Sequence, residues 1–223
     1  MENKHSRNIM ISGAIYSVII ILWPVFMALS ASAAGTLEEK IMMIGERGTL
    51  YYLNFVFASL IAPSIVVFIA VISGLYRRDK LSFYDTMGMV LLVAYSVLIS
   101  ISYISQYAIL PKLISRRRFE EAMLWFFENT DSLAYFFNQM GYCLFGIGVL
   151  LVFRELLAAK GLIRAVGVIF YTSGILSVVA FVGLLMQNKM LNSTTIFSGL
   201  LLVPVGILGI IAEVKNRKTQ CTG

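Results

Sequence analysis

The chain has 223 residues, of which 59% are hydrophobic and 13% charged, with a formal net charge of +6. About a quarter of residues are charged in ordinary soluble domains, so a mean hydropathy of +0.84 makes lipid the solvent of this chain. One histidine and two cysteines provide no cluster with metal-ligand spacing, and no metal, cofactor or disulfide is expected, since Cys143 lies inside an apolar run and Cys221 in the polar tail.

Six uninterrupted apolar runs reach the roughly 17 to 25 residues that a bilayer requires of a helix. They are continuous and lack the period-two alternation of a membrane barrel. The expected fold is an all-α membrane protein: one domain over residues 1–223, a six-transmembrane-helix bundle with one outer amphipathic interfacial helix between spans three and four.

The first run, 9–34, follows Lys4, His5 and Arg7 and ends in "ALSASAAG", which resembles a signal-peptide cleavage site. Its apolar stretch, 9–29, is longer than the usual signal core of about 7 to 15 residues, so a retained helix is expected. Cleavage would leave five spans and the same orientation downstream. The second run, 51–76, opens with Tyr51 and Asn54. The third, 84–110, carries a helical stripe of Tyr95, Ser96, Ser100, Tyr103 and Tyr107, with Ser102 and Gln106 beside it.

Between the third and fourth runs stands the one charge-dense passage, "SRRRFEEAMLWFFENTD", 115–131. Read as a single helix, it puts Phe119, Met123, Phe126 and Leu133 on one side. Arg117, Glu120, Glu121, Glu128 and Asp131 fall on the other, broken only by Leu124, which is the pattern of a helix lying in the interface. Arg116 with Glu120, and Arg117 with Glu121, would then pair at i,i+4, and Trp125 and the phenylalanines would sink among the headgroups. Arg116, Arg117 and Arg118 either touch lipid phosphates or belong to a lid over a cavity, attracting an anionic headgroup.

The fourth run, 133–153, begins with Tyr135, Asn138, Gln139 and Tyr142; the fifth and sixth cover 165–186 and 195–212. Gly141 and Gly148, Gly167 and Gly174, and Gly199 and Gly206 are pairs seven apart, each on one helix face. Small residues let membrane helices approach, so spans four to six are expected to form a tight sub-bundle. The same glycine faces are candidates for contact with a membrane-protein partner or a second copy. The first three spans lack such pairs, which argues against an inverted three-plus-three repeat. Pro24, Pro63 and Pro204 lie inside spans one, two and six, where each can kink its helix.

The passage "YFFNQMGYCLFGIGVLLVFRELLAAKGLIRAVGVIFYTSGILSVVAFVGLL" resembles the corresponding half of a group of six-span prokaryotic membrane proteins catalogued as a domain of unknown function. The resemblance rests on glycine spacing and a short basic turn over about a quarter of the chain. It implies a bacterial or archaeal inner-membrane protein, and carries over no site residue.

Orientation follows the lysines and arginines. With the N-terminus inside, Lys4, Arg7, Arg77, Arg78, Lys80, Arg154, Lys160, Arg164, Lys215, Arg217 and Lys218 give eleven inner positive charges. Lys40, Arg47, Lys112, Arg116, Arg117, Arg118 and Lys189 give seven outer ones. Both termini are therefore expected in the cytoplasm, with the protein in the inner (plasma) membrane. Topology explains the positive charge, and no nucleic-acid partner is expected.

No ionisable residue lies deep in a span; Asp85, Arg154 and Glu213 fall at span ends. Spans without histidine or lysine offer no base for a serine nucleophile, so no enzyme is expected. The uncharged polar residues cluster in the outer halves, and the expected function is binding of a membrane lipid or other amphiphile there. Asn54, Tyr103, Gln106, Tyr107, Trp125, Asn138, Gln139 and Tyr142 are the candidate ligand-binding residues, with Arg116, Arg117 and Arg118 above them. A facilitative transporter, an accessory subunit, and a lipid-modifying enzyme using Glu120, Glu121, Glu128 and Asp131 are the alternatives.

Overall fold

The computed structural model describes residues 2–31, 35–76 and 82–221. Arg77, Arg78 and Lys80, three of the inner charges, lie outside the described residues. Among the described residues, six helical segments are long and apolar enough to cross a membrane: Ser6–Leu29, Gly48–Gly74, Phe83–Ser115, Leu133–Val152, Leu162–Leu185 and Lys189–Lys215. They match the six expected runs. The outward-facing surfaces are apolar, with Ile11, Ile15 and Val18 on the first span and Val90, Val93 and Val97 on the third all more than half exposed. Such an exterior suits a multi-pass membrane protein, whose helices meet lipid instead of water.

The spans are built from α1 (Glu2–Leu29), α3 (Ile44–Tyr76), α4 (Phe83–Ala108), α7 (Leu133–Val152), α8 (Leu162–Leu185), and the pair α10 (Thr194–Leu202) and α11 (Val205–Cys221). Shorter helices join them: α2 (Leu37–Met42), α5 (Leu110–Ser115), α6 (Phe119–Trp125) and α9 (Lys189–Asn192). Side-chain caps fix where several helices begin. Thr36 and Glu39 form a capping box on α2, Ser82 and Asp85 one on α4, and the Ser132 hydroxyl accepts from the Tyr135 amide at the start of α7. Asp85 is thus almost wholly buried as part of a cap at the span end, and Arg154 reaches the same turn by donating to Ser82 Oγ. Gly48, at φ 59°, breaks α3 where its membrane portion begins, a conformation only glycine adopts without strain.

Packing proceeds in chain order. α1 lies against α3, α3 against α4, α4 against α7, α7 against α8, α8 against α10 and α11, and α11 returns to α1. The result is an up-and-down ring of six staves. The face carrying the start of α1 and the end of α11 is called proximal below, and the face carrying α2, α5, α6 and α9 distal.

The glycines correct one expectation. Spans four to six form no separate tight sub-bundle, because the seven-residue pairs serve different contacts. A Cβ at Gly148 would sit 3.0 Å from the Gly88 carbonyl of α4, and Gly141 packs on Ile99 of the same helix. Gly174 lies against Gly146 and Val149 of α7. A Cβ at Gly206 would sit 2.8 Å from the Gly13 carbonyl of α1, whereas one at Gly199 would face open space. Close approach is distributed around the ring, and the first spans supply partners (Gly13, Gly88) that a search for spaced pairs does not register.

The prolines act unequally. Pro24 and Pro63 sit within α1 and α3, but Pro204 separates α10 from α11. A proline lacks the amide donor that would continue the ladder. At this break the Tyr16 hydroxyl, fully buried on α1, donates to the Leu202 carbonyl at 2.9 Å. The first span is thereby tied into the ring.

Candidate functional site

The distal end of the ring is closed by residues 116–132, and here the expected single helix over 115–131 is corrected. Arg117 takes φ 57°, ending α5, and only Phe119–Trp125 is helical as α6. Phe126 is already extended. Broken there, the chain turns Phe126 and Phe127 inward, while Phe119 stays exposed. Phe126 is fully buried, and the Phe127 ring lies 5.8 Å from Phe55, 5.4 Å from Tyr103 and 6.0 Å from Tyr135. Three staves are thus plugged by one side chain. The expected pairs Arg116 with Glu120 and Arg117 with Glu121 give way to an ion pair between Arg118 and Glu121, because the turn at Arg117 destroys the i,i+4 register.

Gln106 latches this segment to α4. Its Nε2 donates to the Trp125 carbonyl at 2.6 Å, to Ser105 Oγ at 2.8 Å and to the Ser102 carbonyl at 3.2 Å. Its Oε1 accepts from the Phe127 amide at 3.1 Å and the Tyr51 hydroxyl at 3.4 Å. A fully buried amide so engaged has no capacity left for a ligand. Asn129 bonds the Met123 carbonyl and the Asp131 amide to close the return turn, and Lys40 bridges from α2 to Glu128 at 3.2 Å.

Below the plug, helical register gathers the remaining candidates. On α3, Asn54 lies one turn from Tyr51 on the same face, and Tyr51 and its neighbour Phe55 touch Gln106 and Tyr103 respectively. On α7, Asn138 shares a face with Tyr135 and Tyr142, and Tyr142 packs on Tyr95 at 5.8 Å. Asn54 and Asn138 are the amides of this distal level, each within about two turns of the distal start of its span; Asn138 lies on the α7 stripe that meets α4, between Ala134, whose carbonyl accepts from Ser102 Oγ, and Gly141, which packs on Ile99. Both side chains are more than nine-tenths buried, and Oδ1 of each has no hydrogen-bond partner. Asn192 of α9 adds a third such oxygen, although its Nδ2 donates to the Tyr135 hydroxyl at 2.8 Å.

The other expected site residues are dispersed. Gln139 accepts from Thr195 at 2.8 Å at the α7 to α10 contact, and the Tyr107 hydroxyl lies 3.5 Å from Ser59 Oγ. Trp125 is half-buried and contributes its carbonyl to the Gln106 latch. Arg116, Arg117 and Arg118 are exposed on the distal surface, away from the amide layer. The stripe on α4 also divides: Tyr95 and Tyr103 face inward, while Ser96 and Ser100 line an outward groove of about 390 Å³ with Val97, Ile101 and Ile104. Sequence reading missed Asn192 as a member of the interior. Asn192 lies just before the sixth apolar run, and only the packing of α9 on α8 brings it to Tyr135.

The proximal interior differs in kind. Phe68, Phe145, Phe153 and Phe170 are all fully buried, with Phe153 and Phe170 stacked at 4.4 Å. No group of three or more His, Cys, Asp or Glu among the described residues could hold a metal ion. Comparison of the chain with protein-family models, curated proteins and solved structures finds no match to any of them.

Proposed function

We propose that this chain is a non-enzymatic membrane protein that holds a single amphiphile, such as a membrane lipid, in the distal amide layer, as a carrier or as an accessory subunit of a membrane complex. The observation that carries this reading is the pair of buried orphan oxygens, Asn54 Oδ1 and Asn138 Oδ1. A buried acceptor without a donor costs about 1 to 3 kcal/mol, and a bound polar head would supply the missing donors. The walls are apolar with few polar groups, the usual construction of a small-molecule site.

In this reading residues 116–132 are the lid and Gln106 its latch. The phenylalanine-filled proximal half favours binding from one face over passage through the ring. The surface carboxylates serve the lid: Glu121 pairs with Arg118 and Glu128 with Lys40. The count of basic residues supports an inner-membrane location with both termini cytoplasmic and the lid outside.

Native mass spectrometry of the protein extracted from its own membranes tests the reading. The wild type is expected to retain one amphiphile per chain, and the double variant Asn54→Leu/Asn138→Leu to lose it while keeping its helical content. A protein that carries no amphiphile, or a folded double variant that carries it unchanged, would overturn the proposal.

A further inference from the structure

The outward face of α4 holds a groove of about 390 Å³, lined among others by Ser96, Val97, Ser100, Ile101, Ile104 and Ile109. Ser96 and Ser100 stand one turn apart and are half-buried, while Val97, Ile101 and Ile104 are at least two-fifths exposed beside them. Small side chains thus leave a depression among larger ones. Serine hydroxyls in a helix can turn back to their own backbone carbonyls, so the surface offered to lipid is apolar. From Ser96 to Ile109 the groove follows roughly 20 Å of helix at 1.5 Å per residue. The hydrocarbon of one leaflet is about 15 Å deep, half of the bilayer core.

At its distal end the groove meets positive charge. Ile109 passes directly into α5: the Lys112 amide donates to the Ile109 carbonyl at 3.1 Å, and the Arg116 amide to the Lys112 carbonyl at 3.3 Å. Successive turns therefore carry the stripe of Ile109 on to Lys112 and Arg116. Both are exposed. Arg118 is held by Glu121 and Lys40 by Glu128, whereas no ion pair engages Lys112 or Arg116 among the described residues.

We propose that this groove binds an anionic phospholipid of the distal leaflet, with one acyl chain along Ser96 and Ser100 and the phosphate at Lys112 and Arg116. The apolar length suits a lipid tail, and the two free cations suit a negative head at the membrane surface. A second copy of the chain suits the groove less well. Lying parallel in the same membrane and meeting α4 face to face, it would set Lys112 and Arg116 against their own counterparts. The site is on the outside of the ring and does not depend on the amphiphile held in the amide layer.

Dioleoylphosphatidylglycerol and dioleoylphosphatidylcholine share their tails and differ in net head charge. Each is titrated into the delipidated chain in detergent micelles, and occupancy is read by native mass spectrometry. The phosphatidylglycerol is expected to half-saturate the wild type at about a tenfold lower concentration than the phosphatidylcholine. Lys112→Gln/Arg116→Gln should abolish that preference. Ser100→Phe fills the groove with both cations kept, and should raise the half-saturating phosphatidylglycerol concentration about tenfold; Ser96→Leu replaces it if that variant does not fold. Asn138→Leu, in the interior, should leave the preference unchanged.

Equal titration of the two lipids, or a preference that survives the double glutamine variant, overturns the proposal. If filling the groove leaves phosphatidylglycerol binding unchanged while glycerol 3-phosphate competes with it, the cations are a surface anion patch and the groove has no part. If filling the groove alters only the ratio of monomer to dimer, its occupant is a second copy. Loss of the preference in Asn138→Leu would move the lipid to the interior, overturning this site and leaving the amphiphile reading intact.

Discussion

Two of the uncharged polar clusters buried in this bundle behave differently. Between α8 and α10, Ser173, Ser177 and Ser198 form a closed knot: Ser198 Oγ lies 2.8 Å from Ser173 Oγ and 2.7 Å from Ser177 Oγ, and Ser173 Oγ donates to the Ser198 carbonyl at 3.1 Å. All three side chains are fully buried, and none is left without a partner. In the distal amide layer, Asn54 and Asn138 are nearly as deeply buried, yet each keeps an open acceptor. Serine hydroxyls can turn to a neighbour or to their own helix; an amide oxygen on a fixed rotamer cannot. Polar residues in a span thus glue helices together when their bonds close on one another, and await a partner when they do not.

Gln106 is the strongest case of closure, and its loss should have the largest effect. Gln106→Leu strands the Phe127 amide and removes the donor to the Trp125 carbonyl, and is expected to cost about 3 kcal/mol in reversible unfolding. The lid should also open, seen as faster amide exchange over residues 119–127. Ser198→Ala probes the closed knot at a smaller scale, with an expected loss of about 1 kcal/mol, near the upper range of interhelical hydrogen bonds in membranes. Arg118→Gln removes only the pair with Glu121, in which both side chains are about half exposed, at 50% and 46%. A change of at most about 0.5 kcal/mol, vanishing in high salt, is expected. A loss as large for Arg118→Gln as for Ser198→Ala would mean that surface pairing, and not buried closure, holds the lid.

Much of the fold was legible because the bilayer imposes a length: six long apolar runs became six spans whose ends differ from the expected ones by a few residues over most of the chain. The passage 115–131 misled because its charges and aromatics fit a helical period, whereas one left-handed residue, Arg117, decides how they are used. Nothing in the residue type announces that conformation. The glycine pairs misled differently. Spacing reveals a face but not its partner, so Gly148 packs on Gly88 and Gly206 on Gly13, neither of them part of a spaced pair. The distal polar residues were visible as a group. Which of them were already committed, as Gln106 is, and which remained open, as Asn54 and Asn138 are, depends on contacts between staves that periodicity along one helix does not encode.

The central claim, that the amide layer is built for a partner and the serine knot for packing, is tested most directly by the sign of a stability change in lipid-stripped protein. Leucine at position 138 removes an unsatisfied acceptor and fills similar space with an apolar side chain. Asn138→Leu should therefore unfold at the same temperature as the wild type or a higher one when stripped, while Ser198→Ala unfolds at a lower one. On adding back extracted native lipid, the wild type should gain stability and Asn138→Leu should gain little. If Asn138→Leu instead loses stability in stripped protein as Ser198→Ala does, and responds to lipid as the wild type does, then the two clusters are of one kind and the account is wrong.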